Sequence, residues 1–457
     1  MTDSRSWGGR RAPRRAAARS PPTRCSVAEA AEVRAALLRL RHAHPGLRER
    51  RDVVDVLGSL LDALAAPEST SRDALAGALA GETGFELRTV QAGLELALEE
   101  WTGDALRALL RDELGRTPTR RAAGFPTTAV LLAGAIPMPS LLSLLLPLAV
   151  GSPVLARPGR HDRVTAPFLA GELARLDPAL APCLEITGFP THDEDALAAF
   201  LEADCVVVTG SDETVGRIEA RIPPSRRLVR YGHRVSVAVI PIAAGDPRWP
   251  AVADGLALDV ALWDQLGCLS PVAVYVVGRG GLVPEEIEQE MVRAFEAVEP
   301  RLPRGKLGAE AATAEAHERA EAELRAASDP ALRLHCGAAW TLVCERDLRF
   351  RNAPLHRFVR VHAVADAAEL QTALAPLSRH LAGVAFEPGE SSPEPWLSAL
   401  QRVGPSRICR PGRLQAPPLA WSHDGQGPLR PLVRFTDMEG DWKGGVGAVE
   451  PRGNRGR

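Results

Sequence analysis

The sequence predicts an α/β protein, in which mostly parallel sheets are covered by helices on both faces and a helical layer precedes them. The first observation is a set of short, almost wholly apolar runs, which are typical of strands buried on both faces. These runs lie at residues 127–134, 152–158, 204–210, 235–242 and 272–278. The second is that segments with helical spacing of apolar residues separate them, as in strand–helix–strand units. Because 457 residues are too many for one simple core, we expect two or three domains.

The region from Val27 to Gly115 is predicted to be helical. Its apolar residues recur at three- and four-residue spacing, for example in RDVVDVLGSLLDALAA. The following segment, residues 127–156, carries no charge, but four prolines interrupt it. A membrane-spanning helix needs about twenty uninterrupted apolar residues. We therefore interpret this segment as a strand, a short buried helix and a second strand.

Composition and cysteine usage exclude several classes of protein. The net charge of −2 provides no field that favours nucleic acid as a partner. Seven cysteines form neither a CxxC pair nor a zinc-type spacing, so we expect a reducing cytoplasm and no metal site. Residues 1–24 are rich in arginine and lack the apolar segment of a secretory signal. We expect a disordered tail or a misplaced start there, with a transit peptide as the alternative, and a frayed tail at 440–457.

A possible phosphate-binding turn follows one of the predicted strands. Thr209, Gly210 and Ser211 connect that strand to a helix, and such a turn directs backbone N–H groups and the helix dipole toward an anion. Arg157 and Arg160 flank the turn after an earlier strand, where a nucleotide phosphate is a candidate partner. A plain strand-to-helix turn with exposed arginines explains the same pattern.

Cys268 stands in WDQLGCLSP, directly before the predicted strand VAVYVV. Because Gly267 permits close approach of a ligand, Cys268 is a candidate nucleophile whose own N–H stabilises an oxyanion. The alternative is a small apolar residue at the entrance to a buried strand. His423 and Asp424, in WSHDG, are residue types used in acid–base chemistry. Adjacent side chains usually diverge, so we interpret this pair as a polar turn.

In combination these motifs resemble the LuxC-type acyl-CoA reductases, a branch of the aldehyde dehydrogenase superfamily. WDQLGCLSP is similar to that family's DQ-x-x-C-L-S-P motif, and AGAIP, VVVTGSDETV, RYGHRVSVAVI, RICRPGRLQ, HDG and LVRF occur in the family's order across residues 30–437. The resemblance implies an aldehyde dehydrogenase-like fold. It assigns the N-terminal helices and a Rossmann-like cofactor domain to 25–237, the catalytic domain to 238–404 and a closing segment to 405–439.

The resemblance also implies a chemistry. The Cys268 thiolate attacks a fatty acyl thioester, the thiol of CoA or of a carrier protein leaves, and hydride from NADPH reduces the acyl-enzyme to a fatty aldehyde. We therefore expect an NADPH-dependent acyl-CoA reductase of the cytoplasm, assembled as a homo-oligomer or a multi-subunit complex. The residues assigned to the cofactor are Arg157, Arg160, Thr209, Gly210 and Ser211.

Three positions depart from the superfamily pattern at the substrate and the cofactor. Ala135 stands where aldehyde dehydrogenases carry an asparagine that donates to the oxyanion, and losing one such donor typically costs about 10²–10³ in rate. Arg157 takes the place of the usual cofactor-binding lysine. Arg160 takes the place of a glutamate common in NAD-preferring relatives, and its cation favours the 2′-phosphate of NADP(H).

Two expected carboxylates have no counterpart in the sequence. Neither Arg230 nor Tyr231 is acidic, although the general-base glutamate of hydrolytic relatives falls near them, and its loss favours reduction over hydrolysis. The ribose-binding glutamate is also missing near Pro354 and Arg357. Three alternatives stay open: an acylating dehydrogenase of shorter acyl thioesters, a catalytically impaired acyl-binding homologue, and an acyltransferase that passes the acyl group on.

Overall fold

The computed structural model describes residues 29–50, 52–115, 120–134, 136–190, 192–389 and 392–439. The predicted tails at 1–24 and 440–457 and the residue Ala135 lie outside this described part of the chain.

The N-terminal layer is helical, as predicted. Ser69 and Thr102 begin two of its helices, because each hydroxyl accepts a backbone N–H from the residue three positions later. The helices described before residue 116 are α1 (Ala30–Glu49), α2 (Val53–Ala65), α3 (Thr70–Thr83), α4 (Leu87–Leu98) and α5 (Gly103–Leu114).

A parallel sheet follows in the order β4-β3-β2-β5-β6. Its apolar strands alternate with helices, and the carboxyl ends of all these strands meet at one edge. After β2 the chain adds β3 and β4 on one side of β2, and it then crosses to add β5 and β6 on the other side. This reversal of direction makes a crevice between β2 and β5 at the carboxyl edge. The elements are β1 (Arg120–Gly124), β2 (Thr128–Leu131), α6 (Pro137–Ala149), β3 (Val154–Arg157), α7 (Thr165–Leu176), β4 (Leu184–Ile186), α8 (Glu194–Phe200), β5 (Cys205–Thr209), α9 (Asp212–Glu219) and β6 (Arg227–Tyr231).

A second, larger sheet has the order β13-β12-β7-β8-β11-β10-β9, and β9 is antiparallel to its neighbour β10. Its elements are β7 (Val235–Ile240), α10 (Trp249–Ala261), β8 (Pro271–Val277), α11 (Glu285–Val298), α12 (Ala309–Ser328), β9 (Arg333–Cys336), β10 (Thr341–Glu345), β11 (Phe358–Val364), α13 (Ala367–Leu374), β12 (Leu381–Phe386), α14 (Glu394–Val403) and β13 (Arg407–Cys409). The final strand β14 (Val433–Asp437) pairs antiparallel with β1.

The two sheets are joined by a link of three residues, 232–234, between β6 and β7. The predicted domain boundary between 237 and 238 falls inside β7. The assignment of cofactor and catalytic roles to the two parts stays a prediction.

The uncharged segment 127–156 folds as β2, α6 and β3, as predicted. None of the helices described here is long and apolar enough to cross a membrane.

The helical layer packs directly on the turn that carries the candidate nucleophile. Trp263 is buried, and a Cβ on Gly93 of α4 would lie 2.5 Å from its indole ring. Phe85 meets the same ring edge-on, with 6.0 Å between the centroids. Burying an aromatic side chain removes about 150–250 Å² from water, which stabilises the fold by about 4–6 kcal/mol. The N-terminal helices therefore hold the start of the WDQLGCLSP segment in place.

Candidate active site

The residues before Cys268 adopt an unusual backbone. Trp263, Asp264 and Gln265 all have left-handed conformations, with φ values of 55°, 48° and 64°. Each such non-glycine residue costs of order 1–3 kcal/mol unless its surroundings hold it there. The side chains of all three are buried, so the turn is stabilised by what they contact.

Asp264 is held by a buried ion pair across the second sheet. Its carboxylate accepts hydrogen bonds from Arg357 Nε and Nη2 at 3.0 and 2.6 Å, and from the Gly305 N–H at 2.9 Å. Arg357 ends a second left-handed run, formed with Leu355 and His356. The two strained turns therefore support each other, one before β8 and one before β11.

Gln265 completes this support. Its side-chain amide donates to the carbonyl oxygens of Pro271 and Phe358, both at 2.9 Å. Its Oε1 accepts the Phe358 N–H at 2.8 Å. Because these bonds join the first residues of β8 and β11, Gln265 fixes the entrance to β8 that Cys268 occupies.

Cys268 is half-buried in the turn that follows. Its carbonyl oxygen accepts a hydrogen bond from Ser236 Oγ of β7 at 2.8 Å, and Ser236 Oγ in turn accepts the Gly383 N–H at 3.0 Å. The Ser270 N–H donates to the Gly267 carbonyl at 2.9 Å. These bonds fix the backbone around Cys268, and the residue as a whole is half-buried.

A glycine is required immediately before the thiol. A Cβ on Gly267 would lie 3.2 Å from Gln415 Oε1 and 3.3 Å from Ile136 Cδ1, both tighter than ordinary van der Waals contact. Gln415 Nε2 also donates to Ser270 Oγ at 2.9 Å. The sequence analysis missed Gln415, which reaches the turn from the closing segment. Ile136, in the loop after β2, also approaches Gly267. Ala135 precedes it in the sequence but lies outside the described residues, so the loss of an oxyanion donor at that position stays a prediction.

Electrostatics keep Cys268 in its thiol form at neutral pH. Burial is the main cause that raises the pKa of Cys268, to about 11, and the negative charge of Asp424 raises it further. Its own backbone N–H and the Arg234 cation act in the opposite direction. Since the thiolate is the nucleophile, the site needs a group that takes the thiol proton.

Two charged residues that act on the pKa of Cys268 come from the closing segment and from the link between the sheets. Arg234 Nε and Nη2 donate to the two carboxylate oxygens of Asp424 at 2.6 and 2.8 Å. The His423 ring stacks on Tyr231, with 4.5 Å between centroids and 16° between planes, and it tilts against Trp421 at 4.6 Å. The predicted polar turn at 423–425 is present, with Asp424 at a φ of 56°.

The carboxylate of Asp424 therefore acts near Tyr231, where the sequence lacks the general-base glutamate of hydrolytic relatives. Asp424 arrives from a distant segment and raises the pKa of both Cys268 and Tyr231. Its bidentate bond with Arg234 engages both of its carboxylate oxygens. The signal for it in the sequence was the HDG segment, and nothing in the sequence connected that segment to Arg234.

The predicted cofactor residues lie along the carboxyl edge of the first sheet. The Gly210 N–H donates to the Tyr231 carbonyl at 3.1 Å, and Ser211 Oγ caps α9 by accepting the Thr214 N–H at 3.2 Å. Thr209 is the last residue of β5. The turn thus presents the first N–H groups of α9 beside the crevice between β2 and β5.

The two predicted phosphate-binding arginines differ in their contacts. Arg157 donates from Nε and Nη2 to the Phe189 carbonyl at 3.1 and 2.8 Å and lies 5.0 Å from the centre of the Phe189 ring. Arg160 is exposed and pairs with no carboxylate of the residues described. The Arg157 guanidinium is thus engaged by a hydrogen-bond acceptor within the protein, whereas the Arg160 guanidinium is available to a ligand.

The same edge fits a dinucleotide in two further respects. The buried hydroxyl of Thr187, directly after β4, has no hydrogen-bond partner among the described residues. A Cβ on Gly159 would lie 3.2 Å from the Leu132 carbonyl oxygen, so the loops after β2 and β3 approach each other closely. An unpaired donor and a close backbone approach at a parallel-strand edge are features of nucleotide sites.

One cluster elsewhere has metal-ligand residue types. Potential ligand atoms of Glu288, His335 and Cys344 lie within 4.8 Å of one another. Arg333 Nε donates to both oxygens of Glu288, at 2.7 and 2.8 Å, and so places a positive charge where an ion would bind. We interpret this cluster as a structural ion pair at the edge of the second sheet.

Comparisons with known proteins bear on the family and the fold of this chain. The sequence model of the family "Acyl-CoA reductase (LuxC)" matches residues 49–435. A long-chain acyl-protein thioester reductase of Aliivibrio fischeri is 28% identical over 315 residues, which cover 68% of this chain and 63% of that protein. The Vibrio harveyi protein of the same name is 24% identical over 320 residues, covering 68% and 64%. The matched region thus spans less than two thirds of the length of these relatives.

Solved structures confirm the predicted fold. Aldehyde dehydrogenase 21 of Physcomitrella patens, in complex with succinate, superposes with a TM-score of 0.70 at 12% identity, covering 90% of each chain. The NADP-dependent glyceraldehyde-3-phosphate dehydrogenase of Bacillus halodurans C-125, complexed with NADP, gives 0.66 at 13% identity, covering 90% of this chain and 92% of that one. At such identities the likeness concerns the fold alone. Because the family model spans most of the sequence, this chain, with its aldehyde dehydrogenase-like fold, belongs to the acyl-CoA reductase (LuxC) family.

Proposed function

We propose that the protein reduces a long-chain fatty acyl thioester to the fatty aldehyde, with Cys268 as the acyl acceptor and NADPH as the reductant. One observation carries the proposal. The half-buried Cys268 precedes the amino end of a central strand, on a backbone fixed by Ser236, in the motif that resembles the family's nucleophile motif. The names of the relatives support an acyl thioester as substrate.

The chain's own residues account for the covalent half of the reaction. Cys268 sulfur attacks the thioester carbonyl, the donor thiol departs, and an acyl-cysteine thioester remains. The Cys268 N–H is the oxyanion donor that we assign from the turn, since its position is fixed by the bonds on either side. After reduction, collapse of the thiohemiacetal releases the aldehyde and regenerates the Cys268 thiolate.

Arg160, the turn at Thr209, Gly210 and Ser211, and Arg157 are the residues that we assign to the cofactor. The reduced nicotinamide supplies hydride when it is bound. The exposed Arg160 favours a 2′-phosphate, which supports NADPH over NADH. Arg157 orders the loop at Phe189 and contributes positive charge to this edge rather than a direct phosphate bond.

Protection of the acyl-cysteine from water also fits a reductase. Asp424 is bound to Arg234, and no other carboxylate among the described residues is a cause of the raised pKa of Cys268. A site whose nearby carboxylate is already bound to an arginine lacks the free carboxylate base of hydrolytic relatives, which supports reduction of the acyl-cysteine over its hydrolysis.

The decisive experiment follows an acyl group on Cys268. The protein is incubated with palmitoyl-CoA, digested and analysed by mass spectrometry, and in parallel NADPH is added and aldehyde is measured. We expect acylation at Cys268 and its loss as aldehyde on addition of NADPH. Acylation without discharge would identify an acyl-binding homologue, and transfer to an added thiol without reduction would identify an acyltransferase.

A matched cysteine controls for non-specific acylation. Cys409 is also half-buried, and burial raises its pKa to about 11 as well. Cys409→Ala should therefore leave aldehyde formation unchanged, whereas Cys268→Ala should abolish it. Absence of acylation from both palmitoyl-CoA and a palmitoylated carrier protein contradicts the proposal. A preference between these donors decides whether CoA or a protein delivers the acyl group.

A further inference from the structure

The side chain of Gln415 joins the closing segment to the turn that carries Cys268. It is buried, and its Nε2 donates to Ser270 Oγ at 2.9 Å. Its Oε1 lies 3.2 Å from the position of a Cβ on Gly267. Because Gly267 precedes Cys268 and Ser270 follows it by two positions, one amide contacts the turn on both sides of the candidate nucleophile.

Two ionisable side chains hold the segment that carries this glutamine. Asp259 of α10 is fully buried, and its carboxylate accepts the N–H groups of Gly412 and Leu414 at 2.7 and 2.9 Å. The Arg407 guanidinium donates to the carbonyl oxygens of Leu414 and Ala416 at 2.7 and 2.9 Å. Since both N–H groups and carbonyl oxygens of the segment are engaged, its backbone is a fixed base for the glutamine side chain.

The helix that binds this segment also leads into the turn. α10 ends at Ala261, and the left-handed turn begins at Trp263. A Cβ on Gly255 of α10 would lie 2.8 Å from the carbonyl carbon of Pro411, so the helix and the closing segment approach each other to backbone contact. The turn and the segment that contacts it are therefore fixed to one helix.

The peptide group between Gly267 and Cys268 is oriented by these contacts. Its carbonyl oxygen accepts the Ser270 N–H at 2.9 Å, and Ser270 is the residue that Gln415 binds. The carbonyl and the N–H of a trans peptide lie in one plane and point in opposite directions. Holding the Gly267 carbonyl therefore sets the direction of the Cys268 N–H, the donor that we assign to the oxyanion.

We infer that Gln415 is a positioning residue, which acts through Ser270 to aim the Cys268 N–H at the carbonyl oxygen of the acyl donor. The inference rests on the proposed function, whose acyl-transfer step it serves. As the Cys268 sulfur bonds to the carbonyl carbon, an electron pair moves to the oxygen and is stabilised by this N–H. The pair returns as the bond from that carbon to the donor sulfur breaks, and the departing thiol carries the proton that Cys268 lost.

Two kinds of reaction at Cys268 separate the position of its N–H from the reactivity of its thiol. Acylation by p-nitrophenyl acetate or palmitoyl-CoA passes through a tetrahedral oxyanion, whereas iodoacetamide alkylates a thiol by direct displacement. Gln415→Met keeps the length of the side chain and removes its amide. We expect acylation of Cys268 in this variant to be at least about tenfold slower, while alkylation stays within about twofold of the wild type. Mass spectrometry of the Cys268 peptide measures both rates.

Two further variants supply a control and a second test. Gln289→Met removes an exposed amide that donates to Glu285 at 3.0 Å, and it should change neither reaction. Ser270→Ala should slow acylation as Gln415→Met does. Adding Gln415→Met to Ser270→Ala should then slow acylation by no more than about a further twofold, because the two residues act through one bond.

The inference is overturned if Gln415→Met leaves acylation unchanged, if it slows acylation and alkylation equally, or if its effect persists in full beside Ser270→Ala. If Gln415→Met does not fold, Ser270→Ala alone decides, and acylation at the wild-type rate then overturns the inference. If acylation by p-nitrophenyl acetate depends on Gln415 but palmitoyl-CoA yields neither acyl-cysteine nor aldehyde, the proposed function fails while the positioning role stands.

Discussion

Replacing Asp264 with asparagine leaves the buried Arg357 guanidinium without its counter-charge. The side chains of Arg357 and Asp264 are 1% and 4% exposed, so water cannot take over the lost interaction. Burial already lowers the pKa of Arg357, and Asp264 is the group that opposes this effect. Removing one partner of a buried ion pair costs about 3–5 kcal/mol. Asparagine preserves the shape but has a single acceptor oxygen, so either Arg357 or the Gly305 N–H also loses its hydrogen bond.

The expected loss is measurable as a shift of the thermal midpoint. For a unit of 150–250 residues, 1 kcal/mol corresponds to about 2–4 °C, so Asp264→Asn should lower the midpoint by about 6–20 °C. Glu202→Gln is the matched control. It breaks the ion pair between Glu202 and Arg34, and the side chains of Arg34 and Glu202 are 50% and 44% exposed. An exposed pair contributes less than about 1 kcal/mol, so this midpoint should move by less than about 4 °C.

A double variant sharpens the test. Arg357→Met together with Asp264→Asn removes both charges, and we expect it to recover part of the midpoint lost in Asp264→Asn alone. The reasoning is refuted if Asp264→Asn shifts the midpoint no more than Glu202→Gln. In that case the two left-handed turns are held by packing and by the amide of Gln265, not by the ion pair.

Three further outcomes follow from the site. Arg160→Glu should weaken NADPH binding at least about tenfold relative to NADH binding, because the carboxylate repels a 2′-phosphate. Fluorescence titration with both nucleotides measures the ratio of the two dissociation constants. An unchanged ratio contradicts the assignment of Arg160 to the cofactor. Gly267→Ala should cost about 1–3 kcal/mol through its contacts with Ile136 and Gln415, and should reduce acylation of Cys268. Gly171→Ala is the control, because a Cβ at that position meets nothing within 4 Å, so it should change neither the stability nor the acylation of Cys268. Equal behaviour of the two variants refutes the close fit around Gly267. Burial raises the pKa of Asp259 to about 7 in the folded protein, whereas an aspartate in the unfolded chain has a pKa of about 4. Protonation of Asp259 therefore stabilises the folded state fully below about pH 4, and this stabilisation is lost as the pH rises to 7. Thermal midpoints across this range should fall more steeply for the wild type than for Asp259→Asn, and parallel curves contradict the shift.

The fold was predictable because the pattern is local. The parallel strands read as short apolar runs, and the covering helices show three- and four-residue spacing. The uncharged segment 127–156 was interpreted correctly as strand, helix and strand, since its prolines break any longer helix. The two short strands of the closing segment, β13 and β14, were not predicted. They are formed by pairing with β12 and β1, and their own residues carry little strand signal.

The sequence by itself predicted Cys268 as the nucleophile and indicated the family. Cys268 is recognisable because a glycine, a thiol and a strand entrance are adjacent in the chain, and the order of motifs connects them to the acyl-CoA reductase (LuxC) family. These features require no contact between distant residues.

Only the tertiary structure decided what surrounds the thiol. Arg234 comes from the link between the sheets and Asp424 from the closing segment, and 190 positions separate them in the chain. Gln415, also from the closing segment, donates a hydrogen bond to Ser270 in the turn after Cys268. Their proximity to Cys268 depends on the order in which strands pair, and that order is set by packing across the whole core. No local pattern records it, so the sequence could not show that Asp424, in a turn that looked merely polar, acts on the pKa of Cys268.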